Sequence, residues 1–575
     1  MSDLQPSTTG PPPRPAPKVG GRTTARWILS VAAFSLCALM TAWLLHRELG
    51  SSQGQLVVDE NLRLDEPRES HLGIYVGEPE DGNRVGHVTL RQLPEIRERS
   101  EGTLLEVDLG LDLQLFGRAT RLSLEGTSWG AWRGGGRDFD FAVRSAGSEF
   151  RLVGEVEEGR LQAVVHSAGE EFPLEIPLPP DALLQPSLGT ALSFPVLEVG
   201  QSAVVPTFDP ITLGPGRARV RAIRRQQMDL GSGPRPVRVY RVETSGFTSE
   251  AWVDERGEIV RATTPLGLTL ALEQGPEGPV GGAPSRGAAL QGTDLLRRTA
   301  VVPAPSGPQV QRGLVRLVAR LRIESDPSQW GRELSDDGAE SARDGAEADV
   351  AGAFDVTVQP PRDAFQQTVS EATPEPPATG PSVEGSADTG ATGAGTVWRF
   401  SASGDGDHAP PEPSHLAADP FVQSDHPRIV AASREVLSAL PEDATDAERA
   451  LAIYEWVWTR IDKQPVLGVP SALEVLGTLR GDCNEHTILY TALARAAGLP
   501  TRIAIGLVWS EELAGFYYHA WPEVWLGDAW RRYDPTLGQQ RADATHIKLL
   551  EGGIERWPQL LAFLGRLQIE VLEIE

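Results

Sequence analysis

The hydrophobic pattern of this chain changes its period once, near residue 420, and that change sets the fold class on either side. Before it, apolar residues alternate with polar ones. Leu105, Val107, Leu109, Leu111, Leu113 and Leu115 are separated by Glu106, Asp108, Gly110, Asp112 and Gln114. A period of two is that of a strand with one buried face, or of a bent pair broken at Gly110. The same alternation recurs at 151–157, 171–176, 237–243 and 251–253. A hairpin over 252–260 closes its turn at Gly257. Residues 55–280 therefore read as a mainly antiparallel β domain, sandwich or half-barrel. Its histidines, His71, His87 and His166, are scattered and suggest no ligand set.

Residues 281–415 read as a linker and a small β unit with acidic disordered insertions. Residues 275–300 are rich in Gly, Pro and Ala. Strand-like alternation returns at 312–325, where a short helix also fits, and at 353–359 and 396–401. Between and around these lie 335–349 and 368–395, acidic and almost free of aromatics, too poor in apolar surface to fold. Their acidic runs lack the D-x-D-x-D-G order of a calcium loop.

After 420 the period becomes 3.6. Residues 427–439 and 446–461 are amphipathic, and a short helix over 471–478 follows Pro470. Asp443, Thr445 and Asp446 supply N-cap chemistry for the second helix.

Near the N-terminus, residues 27–45 read WILSVAAFSLCALMTAWLL, 19 residues without a charge. That length reaches the threshold for crossing a bilayer of about 30 Å. Arg14, Lys18, Arg22 and Arg26 precede it. The positive-inside rule then leaves 1–26 as a disordered cytoplasmic tail and exports the rest to the periplasm. A cleaved signal peptide fits less well, since the apolar core is long and no small-x-small site closes it. Lipoprotein processing at Cys37 would follow a poor run-up in Phe34-Ser35-Leu36. The expectation is a single-pass inner-membrane protein.

The formal charge of −26 excludes a phosphate-binding body for nucleic acid. The chain has two cysteines, Cys37 and Cys483, so an anchor would leave Cys483 as the lone exported thiol. Such a thiol is either inert in a core or kept for chemistry.

Its context favours chemistry. Gly481-Asp482-Cys483 opens a helix that Gly498 stops, so Cys483 stands where unpaired N–H groups and the helix dipole favour a thiolate. Asp482 opposes that effect, which a paired imidazolium would outweigh. The same N–H groups can receive an oxyanion. A strand over 502–509 follows, then a hairpin, 516–526 and 529–534, about a two-residue Gly527-Asp528 loop. Pairing Leu526 with Ala529 makes His519 and Asp534 diagonal neighbours on one face, roughly 7 Å apart or less at Cβ. A one-residue slip would put them on opposite faces. This supplies a nucleophile, a base and an orienting carboxylate.

G-x-C at a helix start, H-A-W at 519–521, D-P at 534–535 and RAAGLPTR at 495–502 resemble the transglutaminase-like superfamily, a branch of the papain-like fold. The resemblance covers about 420–540 and implies an α+β domain over 420–575. It implies catalytic Cys483, His519 and Asp534, a protein or peptide substrate and no metal or cofactor. The implied chemistry is acyl transfer through a thioester, ending in hydrolysis or transamidation.

Rivals remain. His486 shares a helix face with Cys483 and could be the base, oriented by Glu485. A metal site from Glu485, His486 and His519 is a further possibility. Trp456 or Trp458 could lend an indole N–H to the oxyanion. An inactive envelope scaffold could also keep the fold. A zinc hydrolase lacks H-E-x-x-H.

Overall fold

The computed structural model describes residues 64–273, 299–323, 366–368 and 396–575, with short breaks inside those ranges. The expected cytoplasmic tail and transmembrane segment, Cys37, most of the linker, the strand candidate at 353–359 and almost all of the acidic stretches lie outside the described residues. Among the described residues no helix is long and apolar enough to cross a membrane.

Fifteen strands between Arg68 and Glu273, β1 to β15, form one sheet in the order β8-β7-β6-β5-β4-β3-β2-β1-β15-β14-β13-β12-β11-β10-β9. It consists of two meanders joined where β1 (Arg68–Val76) pairs antiparallel with β15 (Leu268–Glu273). The alternating pattern allowed a sandwich, but the strands share one ladder of hydrogen bonds, so there are not two stacked sheets. Leu152, Leu161 and Val165 are buried on one face of it, Leu152 opposite Val165. Outside, arginines bridge carboxylates on neighbouring strands, as in Arg121–Asp112, Arg151–Asp140 and Arg144 with Glu125 and Glu149. Such exposed pairs each stabilise by less than about 1 kcal/mol.

Strand β3 (Ser100–Leu115) runs unbroken through Gly110, which pairs with His87. A Cβ at Gly110 would lie 2.6 Å from the His87 ring. The glycine makes room for a cross-strand imidazole and does not break the strand.

Strands β16 (Arg316–Ile323), β17 (Gln366–Thr368) and β18 (Thr396–Ser401) form a second sheet with the last strand of the chain, β25 (Leu567–Ile574). Within 312–325, residues 316–323 are therefore a strand and not a helix. Leu317, Ala319, Trp398, Phe400, Ile569 and Val571 belong to the core that also fills residues 420–560. The small sheet and the helical region therefore share one interior.

That region holds helices α1 (Pro427–Leu437), α2 (Asp446–Arg460), α3 (Ala472–Thr478) and α4 (Cys483–Ala496). Two short strands, β19 (Asp462–Lys463) and β20 (Arg480–Gly481), pair in parallel. The third sheet orders β23 (Ala529–Arg532), β22 (Gly515–Leu526), β21 (Thr501–Ser510) and β24 (Ile547–Glu551). Helix α4 is buried from Glu485 to Ala494, as a central helix covered on all sides must be. Gly498, at φ +79°, ends it in the left-handed conformation glycine adopts freely.

The large sheet reaches this region through β6 (Ser148–Glu157) and β7 (Arg160–Ser167). The Phe150 ring stacks on Phe421 at 6.1 Å, and Ser167 Oγ hydrogen-bonds Ser471 Oγ at 2.9 Å. Ser471 is also the N-cap of α3.

Candidate active site

Cys483 is the first residue of α4. Asp482 caps that helix by accepting the Asn484 N–H, and Glu485 reaches back to accept the Asp482 N–H at 2.8 Å. This reciprocal box fixes the helix start. It also explains the glycine of G-x-C, because a Cβ at Gly481 would lie 2.2 Å from Glu485 Cβ.

The hairpin folds in the expected register. Leu526 pairs with Ala529, and Gly527 takes φ +73° in the loop. Beyond the last ladder pair, Glu523 with Arg532, the returning chain carries Asp534 beneath β22. His519 Nε2 donates to Asp534 Oδ2 at 2.9 Å, both side chains fully buried. That bond assigns the tautomer and leaves His519 Nδ1 as the bare nitrogen. Nδ1 is buried and has no hydrogen-bond partner. The neighbouring Ala520 N–H hydrogen-bonds Cys483, so the thiol lies against the strand that carries the imidazole.

The structure brings Cys483, His519 and Asp534 to one place; His486 lies near enough to feel the Asp534 charge, and its Nε2 is buried without a hydrogen-bond partner. His486 Nδ1 donates to the Asp482 carbonyl at 2.5 Å, within its own helix start. Glu485 is committed to the cap. Trp458 packs on Gly538, where a Cβ would meet its ring at 2.7 Å, and the Arg460 guanidinium lies 6.0 Å from the centre of the Trp456 ring.

Sequence reasoning missed two residues. His546 Nε2 donates to the same Asp534 Oδ2 at 3.0 Å. Its Nδ1 faces Asp543 Oδ1 at 3.3 Å. Asp534 Oδ1 accepts the Thr536 and Leu537 N–H groups, each at 2.9 Å. Asp543 accepts from Thr545 and Gln539 and from the Gly313 N–H. The result is a buried chain His519–Asp534–His546–Asp543. Trp521 covers it, stacked on His519 at 6.3 Å and edge-on to His546 at 5.0 Å. The signal available in sequence was D-x-T-H just before a strand, beyond the span of the family resemblance.

Electrostatics divide the chain. Burial opposes the charge on Asp534, but His519 and His546 hold its carboxyl well below the ordinary carboxylate range. Burial also opposes an imidazolium at His546, yet its bonds to Asp534 and Asp543 raise its pKa. Burial lowers the pKa of His519, aided by His546 and Lys463 and opposed by Asp534. The Cys483 thiol is pushed up by burial and by Asp482, with the Ala520 N–H acting the other way. Burial and nearby carboxylates thus act against the thiolate that the helix N-terminus favours, and burial acts against charge on His519.

Among the described residues, His519, Asp534 and His546 form the one cluster whose donor atoms, within 4.8 Å of one another, could hold a metal ion. Asp534 Oδ2 already accepts from both rings, so a hydrogen-bonded chain accounts for the geometry.

A family model of the transglutaminase-like superfamily matches residues 434–535, which include Cys483, His519 and Asp534. No curated protein matches the chain. Among solved structures, one described as a candidate cysteine protease, from Cytophaga hutchinsonii, is 15% identical with a TM-score of 0.24. It covers 38% of this chain and 81% of its own. A β-barrel-like protein of a domain of unknown function, from Brucella abortus, is 11% identical with a TM-score of 0.24, covering 36% of this chain and 94% of its own. At those scores neither likeness bears on what this chain does.

Proposed function

We propose that this chain, whose residues 434–535 belong to the transglutaminase-like superfamily, is a cysteine acyl-transfer enzyme acting on protein or peptide amides. His519 Nδ1 takes the Cys483 proton while Asp534 holds the ring. The sulfur bonds to the amide carbonyl carbon, and the oxyanion forms near the Cys483 N–H at the α4 start. The C–N bond breaks, His519 returns the proton to the leaving amine or ammonia, and a thioester remains. Water or an acceptor amine then attacks it, giving an acid or a new amide. The carrying observation is the buried His519, tied to Asp534 through Nε2 and bare at Nδ1, on the strand whose next N–H meets the thiol.

The reading extends to place. Residues 27–45 would anchor the enzyme in the inner membrane with its catalytic part in the periplasm, where it meets polypeptide and not nucleic acid. One observation favours the other reading, a scaffold with a vestigial triad: burial raises the thiol pKa and lowers that of its base.

Acylation separates the two. The full chain is mixed with p-nitrophenyl acetate and digested for mass spectrometry. An enzyme gives a burst of nitrophenolate and an acetyl group on Cys483, both lost in Cys483→Ala. A scaffold gives no burst and no acetyl-Cys483.

A further inference from the structure

We propose that His546 is a positioning residue of the catalytic site, an imidazolium clamped between Asp534 and Asp543 that aims the Asp534 carboxylate at His519 and limits how strongly that carboxylate charges it. The inference rests on the Cys483–His519–Asp534 reading and deepens it.

The geometry makes three points. Asp534 Oδ2 is shared, with His519 at 2.9 Å and His546 at 3.0 Å, both rings fully buried. A triad needs only the first of these bonds. Next, both nitrogens of His546 face acceptors: Nε2 the Asp534 carboxylate, and Nδ1 the Asp543 backbone carbonyl at 3.2 Å and its Oδ1 at 3.3 Å. A ring with an acceptor at each nitrogen can donate to both only as the cation. Its raised pKa agrees. Finally, the clamp is itself held. Gly313, in the strap leading into β16, donates to Asp543 Oδ2 at 2.8 Å, and Ala544 donates to the Leu314 carbonyl at 2.9 Å. The strap and the 543–546 loop therefore fix His546 from outside the hairpin.

The consequence is electrostatic. With His546 charged, the Asp534–His546 pair is close to neutral, and His519 feels less than a full carboxylate. His519 then returns its proton to the leaving amine more readily than a fully paired imidazolium would. The other groups facing the two rings do not reproduce this. Asp534 and Asp543 are the carboxylates just described. Trp521 contributes a neutral ring, and Tyr517 a phenol kept neutral by burial. Lys463 lowers the His519 pKa as well, but it is an exposed residue of β19 and is last among the effects on that ring. Arg532 donates to the His546 carbonyl, not to its ring.

The test is the pH dependence of Cys483 labelling by iodoacetamide in the full chain, wild type beside His546→Gln. Glutamine can still donate to Asp534 but carries no charge. Removing one positive charge 5.9 Å from the His519 ring shifts the midpoint of labelling to higher pH by about 0.5–2 pH units, the span between water-like and protein-like screening. A profile of unchanged midpoint, whether at full rate or scaled down at every pH, overturns the proposal. Should His546→Gln fail to fold, ¹⁵N-histidine spectra of the wild type decide at pH 7.5. His546, assigned in a spectrum that lacks the other buried histidines one at a time, shows both ring nitrogens protonated if the proposal holds. A neutral ring overturns it. Failure of the underlying site is distinct: wild-type labelling would then be indifferent to His519→Ala.

Discussion

Changing Asp534 to asparagine keeps the shape of the site and reverses one of its donors. Asp534 Oδ1 accepts two backbone N–H groups, and Oδ2 accepts from both imidazoles. The asparagine oxygen takes the backbone pair, which puts its NH₂ against two ring N–H donors. His519 can then satisfy Nε2 only as an acceptor, which moves its proton to Nδ1 and points N–H at the thiol. A base of that tautomer cannot take the Cys483 proton. The wrong tautomer behind a similar carboxylate-to-amide change in a serine triad costs about 10⁴ in turnover, or about 5.5 kcal/mol of barrier. Two buried charge-assisted bonds are lost as well, each about 1.5–3 kcal/mol, so stability falls by roughly 3–6 kcal/mol at pH 7. The assay is nitrophenolate release from p-nitrophenyl acetate at a temperature where both proteins are folded by circular dichroism, beside urea unfolding of each. An Asp534→Asn protein that is folded and keeps a tenth of wild-type acylation would refute the assigned tautomer and with it the role of Asp534.

Four further outcomes follow from the same geometry. His486→Gln should keep acylation within about tenfold of wild type, because His486 bonds its own helix cap, whereas His519→Ala should lose at least the 10²–10⁴ typical of a general base; comparing the two rates identifies the base. Ser471→Ala should cost about 1 kcal/mol through the lost α3 cap, read by urea midpoint, and leave acylation unchanged. Glu523 lies between Lys548 Nζ at 2.9 Å and Arg502 Nε at 2.7 Å, and these hold its carboxyl down at about 2 against burial. Glu523→Gln leaves Glu551 as the carboxylate paired with both cations and should cost roughly 1.5–3 kcal/mol through the lost charge-assisted bonds; the wild-type contribution is present above about pH 4.3 and lost as pH falls toward 2. His546 has the opposite sign: its folded pKa is raised, so its contribution is complete below about pH 6.5 and lost as pH rises through the folded value. Thermal midpoints between pH 6 and 9 should therefore fall more steeply in wild type than in His546→Gln.

Much of the site could be read in the sequence because its parts are local. The helix start around Cys483, its stop at Gly498 and the two-residue loop at Gly527 each carry a turn or cap residue with a steric reason. Register arithmetic from that loop put His519 and Asp534 on one face, 2.9 Å apart in the fold. His546 and Asp543 were invisible to the same reasoning because they reach Asp534 from a loop between β23 and β24, joined by no ladder whose register could be counted. The burial that acts against a thiolate was hidden for a related reason. A helix dipole is a property of local sequence, but that burial comes from the packed fold. In the N-terminal region, alternation identified the strands but not their partners. Pairing β1 with β15 across nearly 200 residues is a long-range fact, and Gly110 looked like a break only because His87, its neighbour in the sheet, lies on another strand.

The central claim is that His519 activates Cys483. It is tested most directly by labelling the full chain with iodoacetamide at pH 7, wild type beside His519→Ala, and following the modified Cys483 peptide by mass spectrometry. A thiol whose pKa is raised by its surroundings and which lacks a base is less than about 1% thiolate at that pH. With His519 present the proton is taken as the sulfur reacts, so labelling of Cys483 should fall by about 10²-fold or more when that base is removed. Equal rates in the two proteins, with both folded, would contradict the account.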